Sequence, residues 1–304
     1  MPSSIAWRRR VGAVLAVVGG VAAVVFAARG VDFAALSHHL KEAGPWPLLA
    51  LGALVGANLW LTAWLNGSLV ACFDVQPPVT PSRMRRLTTA SQLLNYVPLM
   101  WAGLVGRAAF LKRHHGLRLR DSGYITLLTV ALTTAVLVLA SAGPLLMATV
   151  AAHHAWAWAG SILGLAVLGL AVTVAGQRVA VTRRWAWTWV PLRVMDLAAS
   201  TGRVALMFVA VGHPVTLDQA VLLASGTTLV KLTGLTPNGL GLSEWVVAGL
   251  AAALSPVEAS LAVAAALLDR AIEVVVSVIA GLWGLWGLKT CREPCLASPV
   301  QQTR

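Results

Sequence analysis

The feature that most constrains this chain is the recurrence, from end to end, of apolar runs about twenty residues long. Helix rises about 1.5 Å per residue, so such a run matches the ~30 Å hydrocarbon core of a bilayer. Of the 304 residues, 58% are hydrophobic and 11% charged, where a water-soluble domain carries about 25% charged residues. Too few polar side chains remain to clothe a globule of this size in water. The alternating strands of about ten residues that mark a membrane barrel are absent from the sequence. The expected fold class is therefore all-α, a polytopic integral membrane protein.

The net charge of +12 sits in short blocks between the apolar runs. Cytoplasmic loops show that distribution under the positive-inside rule, and no nucleic-acid partner is expected from it. Contact with anionic inner-leaflet lipid is a secondary consequence. The first run, 11–28, follows Arg8, Arg9 and Arg10 in the manner of a secretory signal. Its end, "VFAARG", is a poor cleavage site, so the run reads as a retained first helix.

An amphipathic connection, 29–46, leads to a helix at 47–66 and then to an apolar segment, 87–111, broken by Pro98, Gly103 and Gly106. Spans follow at 121–150 and 155–176. The Arg- and Trp-rich "RVAVTRRWAWTWVPLR" separates these from a span at 194–212. A second broken segment, 218–254, precedes a last helix at 258–288. The organisation is one transmembrane domain, 1–290, with halves of 1–120 and 121–290, and a polar tail at 291–304.

Counting charges selects the topology. If each broken segment enters and leaves on one side, the blocks around Arg8, Arg83, Lys112, Arg118, Arg178, Arg183 and Lys289 share a face, opposite Arg29 and Lys41. If 87–111 crossed as one helix, the Arg83 and Lys112 blocks would fall on opposite faces, against the rule. The expectation is about six full transmembrane helices plus two re-entrant hairpins, with both termini cytoplasmic. Broken helices in corresponding positions of two inverted halves point to a transporter's binding site. An inverted repeat is expected on topology, with no repeat visible residue by residue.

The second broken segment contains "TPNGLGLSEWVVAG", residues 236–249. Pro237 removes a backbone donor, while Gly239 and Gly241 permit reversal and close approach. Irregular backbone at membrane depth survives only where protein or a watery cavity satisfies it. The stretch reads as the tip of a helical hairpin, with Asn238 or Ser243 capping the outgoing helix. A helix N-terminus there suits a phosphate or carboxylate, and Glu244 falls in its first turn. The alternative is a surface loop with a solvated glutamate.

Lys231 lies on the incoming half, and Asp269, Arg270 and Glu273 lie in the last helix. Asp269 and Glu273 share a face, and Arg270 reaches Glu273 at i+3. Facing lipid, these charges and Glu244 would cost roughly 2.5–3.5 kcal/mol each. They must face the interior, as a substrate site or as a structural ion-pair network.

In the first broken segment Asn95, Pro98 and Gly103 shape the break, and Arg107 lies about a turn inside the apolar run. A guanidinium there either clamps a phosphate or snorkels to the interface beside Lys112 and Arg113. The His-His pairs fall near loops on both faces, so no metal site is expected. The tryptophans cluster near helix ends as an interfacial belt. Neither a P-loop, a dinucleotide fingerprint nor a nucleophile elbow occurs. No cofactor and no enzymatic activity are expected.

At its two breaks the chain resembles the flippase-like transmembrane domain of lysylphosphatidylglycerol synthases, a domain also found alone. Members show N-x-x-P followed by Gly-(Glu/Asp)-x-x-Arg, then P-x-G-x-G-x-x-E and an arginine in the last helix. This sequence offers Asn95, Pro98, Gly103 and Arg107, then Pro237, Gly239, Gly241 and Glu244, with Arg270 following. The acidic position of the first motif is Leu104, a departure that removes any carboxylate role there. With no room for an aminoacyl-transferring domain, the chain is expected to be a stand-alone member.

The resemblance implies translocation of a lipid or lipid-linked head group across a prokaryotic inner membrane. Membrane lipid is the implied partner, and a homodimer or an envelope-biosynthesis partner is compatible with it. The residues expected to bind substrate are Arg107, Lys231, Asn238, Glu244, Asp269, Arg270 and Glu273. A secondary transporter for a small soluble solute, or an accessory subunit of an envelope-lipid enzyme, are the alternatives.

Overall fold

The computed structural model describes residues 44–73, 75–96, 102–152, 183–233, 236–255 and 257–290, with a few isolated positions between 29 and 42. The expected helices at 11–28 and 155–176, Pro98 and the tail 291–304 lie outside the described residues. Among them the protein is all-helical: α1 (Trp46–Val70), α2 (Pro81–Leu94), α3 (Ala102–His115), α4 (Leu119–Ala152), α5 (Arg183–Ala210), α6 (Leu217–Thr233), α7 (Leu242–Leu254) and α8 (Ala259–Thr290).

Two helical stretches, Trp46–Val70 and Leu119–Leu145, are long and apolar enough to cross a membrane. Helices α5 and α8 are also long, 28 and 32 residues, but carry Arg193, Asp196 and Arg203, and Asp269, Arg270 and Glu273. Six full spans are thus more than the described residues display. The "RRWAWTWVPLR" stretch, expected as a connection, is instead the first third of α5, with Pro191 inside it. Pro191 is the ninth residue of the helix, where it removes one backbone hydrogen bond and crowds the carbonyl of Trp187.

Both broken segments fold as helical hairpins. Thr80 accepts from the Arg83 amide at 3.3 Å and Pro81 opens α2, a strong helix start. In the second hairpin the Gln219 amide donates to the Leu254 carbonyl at 2.7 Å, tying the first turn of α6 to the end of α7. The arms of the first hairpin have 14 residues each, those of the second 17 and 13. At about 1.5 Å per residue each arm is shorter than a ~30 Å hydrocarbon core.

The order long helix, hairpin, long helix therefore occurs twice, as α1, α2–α3, α4 and again as α5, α6–α7, α8. Packing repeats with it: each packed helix pair in one set has a counterpart in the other. Helices α1 and α5 meet most extensively and run antiparallel. Leu51 packs with Phe208, Asn58 bonds Asp196 and Ser200, and Leu65 joins Trp189 and Leu192. Two large apolar cores result, one around each hairpin, with a smaller cluster of Ala248, Val263 and Ala264 between α7 and α8.

The first hairpin docks on α8 through a stripe of small residues. A Cβ at Gly281 would meet Leu93, one at Gly284 would meet the Arg86 carbonyl and Thr89, and one at Gly287 the Arg86 side chain. Small residues at three-residue spacing let two helix backbones approach closely. Helix α8 consequently carries the first hairpin on one part of its length and the second hairpin on another.

Candidate functional site

The site is built where the second hairpin breaks. Lys231 ends α6, a single 3-10 turn covers Pro237–Gly239, and α7 begins at Leu242. Asn238 takes the left-handed conformation (φ 50°, ψ 30°), and Gly239 and Gly241 have φ of 75° and 81°. Three positive-φ residues within four positions reverse the chain tightly, and two of them are glycine because a Cβ would strain there. This reversal aims the first turn of α7, with Ser243 and Glu244, at the middle of α8.

Six charged side chains converge at that point: Arg203 from α5, Lys231 from α6, Glu244 from α7, and Asp269, Arg270 and Glu273 from α8. Glu273 is the hub. It accepts from Lys231 Nζ at 2.9 and 3.0 Å, Arg203 at 3.2 Å, Asn238 at 3.3 Å and Arg270 at 3.4 Å. Arg203 grips Asp269 with two parallel bonds of 3.0 and 2.7 Å, the paired geometry that a planar guanidinium favours.

Arg270 staples the hairpin tip to α8. Its Nε donates to Glu244 at 2.9 Å, its Nη1 to the Asn238 carbonyl at 3.1 Å, and its Nη2 to the Ser243 hydroxyl. The one hydroxyl hydrogen of Ser243 serves either the Gly239 carbonyl at 2.9 Å or Glu244 at 3.0 Å. The staple satisfies the irregular backbone, as the interior position of that backbone requires.

Three cations face three carboxylates, so the cluster is electrically neutral. Glu244 is 1% exposed and Glu273 5%. Removing a carboxylate from water costs several kcal/mol unless pairing and hydrogen bonds offset it, and here each carboxylate has both. Lys231 and Asp269 are the more open members, with side chains 29% and 20% exposed. The six charges line a cavity of about 50 Å3, room for roughly three or four waters.

The tip of the first hairpin reaches the same place from the other side. Tyr96 lies close enough to interact with Glu273, Arg270, Asn238 and Ser277. The Ser277 hydroxyl, on a residue 1% exposed, has no hydrogen-bond partner of good geometry among the described residues.

Of the residues expected to bind substrate, Lys231, Asn238, Glu244, Asp269, Arg270 and Glu273 are joined in one network. Arg107 is not among them: it is half-buried on α3 and feels the like charge of Arg193. Asn95 and Gly103 do shape the first break. Asn95 Oδ1 accepts from the Gly103 amide at 3.1 Å, and a Cβ on Gly103 would collide with the Ser91 carbonyl and the Asn95 side chain.

Sequence reasoning missed Arg203, although a lone arginine inside the run 194–212 was the available signal. It also missed the buried set in which Arg193 bonds Asp196 at 2.8 Å and Asn58 bonds Asp196 at 2.9 Å and Ser200 at 2.9 Å. Arg193 stands one residue before that run and looked like part of a basic loop. Among the described residues no group of three or more His, Cys, Asp or Glu side chains is placed to hold a metal ion. Comparison with protein-family models, curated proteins and solved structures finds no match to this chain.

Proposed function

We propose that this protein is an integral membrane transporter that carries the polar head group of a lipid between leaflets while the acyl chains stay in the bilayer. The observation that carries the reading is the neutral six-charge cluster at the broken tip of a hairpin too short to cross. Such a cluster is expensive to build in an apolar protein and is understandable where polar cargo must pass. The resemblance at the two breaks points the same way.

On this reading the repeated order of elements is an inverted repeat across the membrane, since α1 and its counterpart α5 run antiparallel. With the helices outside the described residues, about six spans and two re-entrant hairpins place both termini on the cytoplasmic side of a prokaryotic inner membrane. On this reading the ion-paired arrangement around a cavity of about 50 Å3 is taken as the locked state of the cycle. Opening requires the second hairpin to swing about Gly239 and Gly241, releasing Lys231 from Glu273 while Arg270 keeps its hold on the tip. Inverted halves supply two equivalent states of this kind, one open to each side.

The test is reconstitution of the full chain in phosphatidylcholine vesicles holding tail-labelled phosphatidylglycerol, with chemical quenching of the outer leaflet. Wild type should expose inner-leaflet label, and Glu244→Gln and Arg270→Ala should slow exposure at least ten-fold in protein of unchanged helicity. Exposure no faster than in empty vesicles would sink the lipid reading. Uptake of a labelled soluble anion by the same vesicles would replace it with solute transport.

A further inference from the structure

One face of α5 is polar for about three turns. Arg193, Asp196, Ser200 and Arg203 follow one another at three- and four-residue steps, so they stand in line along the helix. Two cavities open on this face. The larger is ringed by the six charges; a smaller one of about 10 Å3, room for about one water, is lined by Thr133, Arg193 and Asp196 among others. Ser200 and Thr228 line both, so the two cavities adjoin. The hydroxyls of Ser200, Thr227 and Thr228 give their hydrogens to carbonyls of their own helices, at 3.0, 2.9 and 2.8 Å. What remains to them is acceptor lone pairs, which suit the hydrogens of water. Arg193 Nε, on a residue 9% exposed, has no hydrogen-bond partner among the described residues, and it stands beside the smaller cavity. Both cavities are therefore built to hold water.

The three carboxylates of the cluster are held unequally. Glu273 accepts from Lys231, Arg203, Asn238 and Arg270, and is the only carboxylate that Lys231 bonds among the described residues. Glu244 is enclosed by Arg270 and Ser243. Asp269 is the most open of the three and is held by Arg203 alone. Neutralising Asp269 strands no cation, because Arg203 keeps its bond to Glu273 at 3.2 Å. Lys231 spends two hydrogens on Glu273, and its third has no partner among the described residues. The charges around Asp269 are Arg203 from α5, Lys231 from α6, Glu244 from α7, and Arg270 and Glu273 from its own helix, all lining the larger cavity. Tyr96 faces Glu273 from the first tip. Helix α1 carries no charged side chain. On α2, Arg83 lies over Phe110, Arg85 is exposed, and Arg86 meets α8 at Gly284 and Gly287 instead.

We infer that this site takes up one proton together with an anionic phosphodiester, with Asp269 as the proton acceptor and Lys231 as the contact for the phosphate. The inference rests on the transport reading and names the charge of its cargo and its coupling ion. In the locked arrangement three cations balance three carboxylates. An anion entering alone would leave a net buried charge, which an apolar protein bears only at high cost. A proton from cavity water forms an O–H bond on Asp269, and the cluster becomes positive by one charge. The phosphodiester, negative by one, then restores neutrality as it meets the free N–H of Lys231. Cargo and proton thus cross as a neutral pair. The smaller cavity, beside Arg193 and Asp196, is the station through which water hands the proton along α5. The phosphodiester belongs either to a lipid head group or to a free compound.

The test is calorimetric titration of the full chain in detergent with dihexanoyl phosphatidylglycerol, repeated in buffers of different ionisation enthalpy to count the protons bound per ligand. Dimethyl phosphate, the same diester without chains, is titrated separately. Wild type should take one proton from the buffer per bound ligand, and its affinity should fall by up to about ten-fold per unit of rising pH. Asp269→Asn makes the positive cluster permanent, so it should bind with no proton uptake and without that pH dependence. Lys231→Gln should weaken binding about ten-fold or more, a loss of about 1.4 kcal/mol. Glu258→Gln, exposed just before α8, should match wild type. If Asp269→Asn does not fold, the proton count of wild type decides alone. Proton-coupled binding of the short-chain lipid alone assigns the site to a head group, and coupled binding of both ligands assigns it to phosphodiesters in general. No saturable binding, no proton uptake by wild type, or uptake that persists in Asp269→Asn overturns the inference. Binding and proton count are read without transport, so a failure of lipid translocation and a failure of proton coupling are told apart.

Discussion

The two hairpins have one architecture and opposite chemistries. Each consists of two antiparallel helices too short to cross a membrane, each breaks at an asparagine, and each packs against α8. The first tip is closed by neutral means: the Asn95 side chain takes the Gly103 amide, and glycine lets α3 lie against α2. The second tip is closed by charge, with Arg270 bonding Glu244, Ser243 and the Asn238 carbonyl at once. A neutral tip is inexpensive to bury, and Arg107 nearby on α3 has no carboxylate partner among the described residues. A charged tip consumes all its charges internally and depends on every member.

The comparison breaks most visibly at the arginines. Removing one partner of a buried ion pair costs about 3–5 kcal/mol, because the remaining charge is stranded. Arg270→Ala should lose that much, measured as a lowered midpoint in denaturant titration of the detergent-solubilised protein. Arg107→Ala, with no carboxylate to strand among the described residues, should lose far less. Equal losses would mean that Arg107 has a structural partner and that the halves do not differ as described.

Glycines give the next contrast. Gly103→Ala forces a methyl into the Ser91 carbonyl and the Asn95 side chain, and overpacking of this kind costs about 1–3 kcal/mol. Gly123→Ala, in α4 with nothing within 4 Å, should instead gain about 0.5–1 kcal/mol from helix propensity. Asn95→Ala removes a cap worth about 1 kcal/mol; a loss as large as that of Arg270→Ala would contradict the inexpensive neutral tip.

The smallest effect is a pH dependence at the outer end of the first hairpin. His115 lies in the basic block outside the apolar runs, 1% exposed, with Nδ1 2.6 Å from the Pro77 carbonyl. Burial pushes its pKa below the ordinary histidine value, the nearby Arg83 adds to this, and the Pro77 hydrogen bond opposes it. Because the folded value is depressed, its contribution to stability is present above the unfolded value of about 6.5 and is lost as pH falls through the folded value. Thermal midpoints measured from pH 8 to 5 should fall on the acid side, and His115→Gln should flatten that fall.

Much of the framework was legible because it depends on local chemistry. Apolar run length marked α1 and α4, and the Pro-Gly break marked the second hairpin to within a residue; the first hairpin begins six residues earlier than its apolar run, because the basic stretch 81–86 is already helix. The i, i+3 and i, i+4 spacing placed Asp269, Arg270 and Glu273 on one side of α8. Arg203 was not legible, since nothing in its local sequence says that it meets Asp269, sixty-six residues away. The glycine stripe at 281, 284 and 287 looked like an apolar helix end until α2 was packed against it. Arg193 looked like a loop residue because the extent of α5 is settled by packing against α1, not by its own Trp- and Arg-rich sequence.

By itself, then, the sequence determined the helical class, the two breaks and the presence of interior charges, because hydrophobic run length and helix breakers act over a few residues. Only the tertiary structure decided which charge answers which. Pairing depends on the approach of α5, α6, α7 and α8 to one point, and it is that approach which balances the six charges of the second half.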